Sequence, residues 1–143
     1  MTAIIQVTDT VDLAAMQAIG GGLARFNAEA AGYDDQRGLA VVVVDPATAQ
    51  PLGGACGRSS LGLLFLDLLF LPPVLRGRGL GSQVLRRFEA EGARRGCRAA
   101  VLTTISFQAP GFYERHGWRR FGDIPCDPPG TSRIFMTRPL GAA

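Results

Sequence analysis

Residues 63–96 read LLFLDLLFLPPVLRGRGLGSQVLRRFEAEGARRG. The stretch opens as an apolar, strand-like run, leaves it through Pro72 and Pro73, passes an arginine–glycine turn and enters an amphipathic helix. Leu80, Val84, Leu85 and Phe88 recur at helical spacing, while Arg86, Arg87, Glu89, Arg94 and Arg95 take the other face. Gly96 stands where a glycine C-cap is expected. A strand, a glycine turn and then a helix turn backbone N–H groups and the helix dipole toward an anion. The Walker loop is excluded because it needs a lysine, and this chain has none. The dinucleotide pattern G-x-G-x-x-G fails as well: counted from Gly77 it ends on Ser82, and from Gly79 on Val84. Two readings of Arg76, Gly77, Arg78, Gly79, Leu80, Gly81 and Ser82 remain. Either the glycines let the main chain approach a pyrophosphate and the arginines add charge-assisted bonds, or this is a glycine-rich turn with solvated arginines.

Working outward, residues 39–44 (LAVVVV) form a continuous β-branched run that predicts a central buried strand. Residues 52–59 read as its antiparallel neighbour, with Gly53 and Gly54 marking a bulge, and residues 61–71 as the longest strand. Beyond the helix, residues 98–105 predict a strand, parallel to the one before if the helix is a crossover. A short helix at 112–116 follows, with Pro110 suited to its first turn. Two last strands lie at 118–121 and 132–137, joined by a proline-rich loop at 123–130. Toward the N-terminus, residues 3–7 read as a short strand and Asp12 as a helix N-cap. The alanine-rich segment 12–31 reads as helix, divided by Gly20, Gly21 and Gly22 into two helices with a hinge. The order predicts one α/β (α+β) domain over residues 1–143, with a mixed central sheet of about six or seven strands and about four helices.

Composition narrows the function. Hydrophobic residues make up 47% and charged residues 19%, as in a globular domain. No apolar run is long enough for a membrane span, and residues 1–10 lack the basic and apolar regions of a secretory signal. The expectation is a cytoplasmic protein without a membrane partner. Three widely separated cysteines and a single histidine argue against a metal site. The net charge of +3 suits a phosphorylated cofactor. Its arginines are scattered and not interleaved with aromatics, so nucleic acid is not the expected partner. Asp67 is the only charge in the apolar run 61–75 and, at strand periodicity, shares a face with Phe65, Leu69 and Leu71. It reads either as a desolvated base with a raised pKa or as the partner of an arginine on a neighbouring element.

Arg76, Gly79 and Gly81 resemble the R/Q-x-x-G-x-G/A signature of the GNAT superfamily of acetyl-CoA-dependent N-acetyltransferases. About thirty residues later, Ala109, Phe112, Tyr113, Glu114, Gly117 and Trp118 match that family's A-x-x-[LF]-Y-E-x-x-G-[FWY] pattern. The resemblance is good from about residue 39 to 140 and looser before it. It implies transfer of an acetyl group from acetyl-CoA (coenzyme A) to the primary amine of a small molecule or peptide. It implies Tyr113 as the acid toward the leaving thiolate, against the alternative of a packed core tyrosine. Leu69, Phe70 and Leu71 are implied to pair with the pantetheine amides, with a backbone N–H near Leu71 facing the oxyanion. Ser106 stands where many relatives carry asparagine, a departure at a cofactor contact. The acceptor is implied to enter near Tyr33, Asp34 and Asp35 and near Asp123 and Asp127, carboxylates that suit a cation or serve only as turn and capping residues. A homodimer is common among similar proteins. The alternative function is a non-enzymatic acyl-CoA sensor or interaction domain of the same fold.

Overall fold

The computed structural model of the chain describes residues 1–141, so the last two residues of the expected domain lie outside the described residues. Two compact units are present, one from Met1 to Asp34 and one from Asp35 onward. In the first, α1 (Leu13–Met16) passes through a π-helical segment (Gln17–Gly21) into α2 (Gly22–Ala31). The Asp12 side chain accepts from the Ala15 N–H at 2.8 Å, the N-cap its position predicts. Gly32 closes α2 in the left-handed conformation at φ 90°. The glycines do not break the helix as expected. The chain stays helical through them and takes up the wider π-turn there. A Cβ at Gly20 or Gly21 would meet nothing within 4 Å. Gly21→Ala is therefore expected to stabilise this helix by about 0.5–1 kcal/mol, read as a gain in helical circular dichroism. Residues 3–7 form no strand; a five-residue run with no ladder partner in its own unit cannot hold one.

The second unit is a six-stranded sheet: β1 (Arg37–Val44), β2 (Pro51–Ser60), β3 (Leu63–Phe70), β4 (Ala99–Ile105), β5 (Arg119–Cys126) and β6 (Thr131–Pro139). Their spatial order is β1-β2-β3-β4-β6-β5, with β3–β4 parallel and every other pair antiparallel. The mixed α/β fold and the strand count agree with the sequence reading. β1 is an edge strand and not the predicted central one. Leu39, Val41 and Val43 pack on the core, while Val42 and Val44 are exposed. Its apolar continuity reports two apolar faces and says nothing about which neighbours it has. β5 runs on to Cys126 through Pro125, a residue the edge position tolerates because the outward side needs no donor.

The crossover helix α3 (Leu80–Arg94) buries Val84, Leu85 and Phe88 against Leu64, Leu66, Ala100, Leu102, Ile134 and Met136. Gly92 lets it lie close: a Cβ there would fall 2.5 Å from a Leu64 methyl. At its end, Arg95 bonds the Gly38 carbonyl at 3.1 Å and Ser59 Oγ at 3.0 Å, tying the helix to β1 and β2. Deeper in the same helix, Glu89 is buried and accepts from Trp118 Nε1 at 3.1 Å and from Arg138. A short helix α4 (Pro110–Arg115) follows β4. Among the described residues, no helix is long and apolar enough to cross a membrane.

Candidate active site

β3 and β4 pair from Leu63↔Ala99 to Leu66↔Leu102 and no further, although β3 continues to Phe70 and β4 to Ile105. Their outer edges stay paired, β3 with β2 as far as Gly54↔Phe70 and β4 with β6 as far as Ile105↔Arg133. The seam between them therefore opens into a wedge at the carboxyl ends of the parallel pair. One cause is a bulge. Gly57 faces Leu66 and Cys56 faces Leu68, leaving Asp67 as the extra residue. Gly57 permits the close approach, because a Cβ there would lie 1.8 Å from the Phe65 carbonyl oxygen. The extra residue also resets the alternation: Leu64 and Leu66 are buried before it, Leu69 and Leu71 turn to the core after it.

The wedge leads to the glycine turn. Gly77 and Gly79 have φ of 80° and 74°, and a Cβ on either would meet nothing within 4 Å. Gly79 is the N-cap of α3 and supplies no side-chain cap, and the first turn carries no acidic residue. The N–H groups of Leu80, Gly81 and Ser82 thus open the helix with its positive dipole end unneutralised. Arg76 braces this turn: its Nε donates to the Leu71 carbonyl at 2.8 Å and its guanidinium lies 5.7 Å from the Phe70 ring centre. Arg78 is exposed.

α4 docks on the same turn. The Cβ position of Gly81 is 3.6 Å from the Phe112 ring, and Ser82 Oγ lies 2.8 Å from His116 Nε2. Tyr113 is only 8% exposed, packed edge-on against Phe112 and Trp118 with ring centres 5.2 and 6.0 Å away. Burial pushes its phenol up to about 12, so the group carries its proton at neutral pH. Ser106 Oγ accepts from the Ser132 N–H at 2.9 Å, which fastens the end of β4 to β6 and leaves the hydroxyl proton and one lone pair for another partner. Gln108, which no sequence signal singled out, accepts from Thr104 Oγ1 and from the Ile105 N–H at 3.0 and 3.1 Å.

Two expectations need correction. Asp67 is not desolvated: its side chain is half exposed and both carboxylate oxygens lie 3.3 Å from Arg58 Nη1. The ion-pair reading describes its surroundings, and the bulge explains why strict alternation misplaced it. Asp35 accepts from the Leu61 N–H at 3.0 Å, at the β2–β3 turn. That is the opposite end of β3 from the wedge, roughly 20 Å along the strand, so Asp35 shapes a turn away from the wedge. Asp123 pairs with Ile134, which pairs with Thr104, so it lies level with the wedge two strands away, roughly 10 Å across the sheet. Tyr33 and Asp34 belong to the first unit.

Comparison with known proteins assigns this architecture to the acyltransferases. The acetyltransferase (GNAT) domain matches residues 20–120. An acetyltransferase of Agrobacterium fabrum is 31% identical over 118 residues, covering 82% of this chain and 85% of that one. A blasticidin-S acetyltransferase of Streptomyces morookaense is 39% identical over 89 residues, 62% of this chain and 65% of that one. A crystal structure from Agrobacterium tumefaciens, described as a putative acetyltransferase, superposes with a TM-score of 0.88 at 28% identity, over 96% of this chain and all of that one. The chain belongs to the GNAT acetyltransferase family.

Proposed function

We propose that this protein is an N-acetyltransferase that moves an acetyl group from acetyl-CoA to a primary amine by direct attack in a ternary complex. The observation that carries the reading is the wedge between β3 and β4. It offers strand edges at Leu69, Phe70 and Leu71 to an extended amide-bearing chain, and it ends at a helix N-terminus suited to a pyrophosphate. Pantetheine and pyrophosphate are joined in that order in coenzyme A. Gly77, Arg78, Gly79, Leu80, Gly81 and Ser82 hold the phosphates, Arg76 fixes the turn, and Ser106 offers its hydroxyl proton at the opposite wall.

In this reaction the amine nitrogen bonds the thioester carbonyl carbon, the C–S bond breaks, and the amine gives up one proton while the sulfur gains one. A phenol at about 12 does not hand its proton fully to a thiolate whose acid titrates near ~8.5. Tyr113 therefore acts by donating a hydrogen bond to the sulfur as its charge grows, and the proton lost by the amine balances the one the thiolate finally takes. Asp67 serves as the negative charge that draws the protonated acceptor, whose proton leaves to solvent before attack. Its pairing with Arg58 is half exposed, and such pairs are worth only about 0–1 kcal/mol, so an ammonium group can displace the arginine. The acceptor proposed is a small amine or a peptide amine, with Asp123 as a further charge on its approach. One relative is named for its action on a small molecule, blasticidin S, which favours the former.

Calorimetric titration tests the cofactor. Acetyl-CoA is expected to bind with micromolar affinity and pantetheine alone far more weakly. Gly79→Val, which loads a β-branched residue into a left-handed position facing the open turn, should abolish the tighter binding. Unchanged affinity in that variant sinks the assignment.

A further inference from the structure

We infer that His116 is a positioning residue for the cofactor, acting through Ser82, and this inference rests on the coenzyme A reading of the α3 turn. Ser82 is the third residue of α3, in the turn whose N–H groups face the proposed pyrophosphate. Its Oγ lies 2.8 Å from His116 Nε2 in a partly buried contact. His116 is the C-cap of α4, and its ring packs edge-on against Phe112 with centres 5.0 Å apart. Phe112 in turn lies against the Gly81 position. The imidazole is thus held from two sides.

A serine hydroxyl has one proton, and that proton decides the direction of the bond. Were Ser82 to donate to His116, its oxygen lone pairs would face the anion and repel it. With a pyrophosphate bound, the favourable arrangement has His116 Nε2–H donating to Ser82 Oγ, and Ser82 O–H donating to a phosphate oxygen. A donor that itself accepts a hydrogen bond is polarised and donates more strongly. The histidine also fixes the Ser82 rotamer, so less ordering remains to be done when the anion arrives. The same bond connects the phosphate turn to the helix that carries Tyr113.

The test is a double-mutant cycle on coenzyme A affinity, with pantetheine as the control ligand. His116→Phe keeps the ring packing and removes the hydrogen bond; His116→Gln returns an amide donor to about the same place. His116→Phe is expected to weaken coenzyme A binding about five- to tenfold and to leave pantetheine binding unchanged. Ser82→Ala should produce a similar loss, and adding His116→Phe to it should produce almost none, while His116→Gln should recover most of the affinity. Losses that add in the double variant, or a pantetheine affinity that falls in parallel, overturn the inference and make His116 a packing residue. A wild-type protein that binds pantetheine and coenzyme A equally, or neither, fails earlier and refutes the pyrophosphate site itself.

Discussion

Tyr113→Phe is expected to lower kcat about 100-fold while acetyl-CoA affinity stays within about twofold. The replacement preserves the ring that packs between Phe112 and Trp118 and removes only the hydroxyl, so the expected loss is that of the hydrogen bond proposed to form as the C–S bond breaks. A steady-state assay following thiol release, beside a binding titration, separates the two. A parallel loss of affinity would instead make the phenol a binding or packing group. The same variant has a second signature at high pH. The phenol titrates at an ordinary 10.0 in the unfolded chain and at about 12 when buried. Between these values the folded protein holds a proton that the unfolded chain has released. The corresponding stability is complete below pH 10 and is lost as pH rises through 12, amounting to at most about 2–3 kcal/mol. Burial raises the Cys97 thiol in the same sense, so the comparison of wild type with Tyr113→Phe is what isolates the tyrosine. The variant's denaturation midpoint should fall less steeply across that window.

The other large effect concerns stability. Arg138→Met should cost about 3 kcal/mol, read from urea denaturation, because it strands the Glu89 carboxylate in the core with Trp118 Nε1 as its remaining hydrogen-bond partner among those described. Adding Glu89→Gln to Arg138→Met should restore most of the loss. The amide still accepts from Trp118, and the unpaired charge is gone. If the double variant is as unstable as the single one, the arginine contributes through packing and not through the charge.

Much of this was readable from the residues. The turn at 76–82 and α3 were legible because period, cap and glycine placement agree over fifteen helical residues, and consistency across levels is the strongest sequence signal. The sequence leaves Asp67 open between a base and an ion pair, and it misplaces the residue's face because a bulge is a property of two strands: the buckle requires Gly57 on β2, and nothing within β3 announces it. Asp35 stays open in the sequence between a ligand contact and a turn because a carboxylate near a turn looks the same whether it faces a ligand or a backbone N–H 26 positions away. The valine run of β1 stated its two faces and was silent on its place in the sheet. Nothing in the local sequence singles out His116, the C-cap of α4; its bond to Ser82 arises only when α4 folds back on α3.

The early end of the β3–β4 pairing has a mechanical consequence. Four register pairs join the two halves of the sheet, β1-β2-β3 on one side and β4-β6-β5 on the other, so the sheet resembles a book bound along only half its spine. A cofactor bound in the open half, as proposed, would complete the binding. Amides along that margin should then be the ones whose hydrogen exchange slows most when coenzyme A is added, and the gain in melting temperature should track occupancy of the gap.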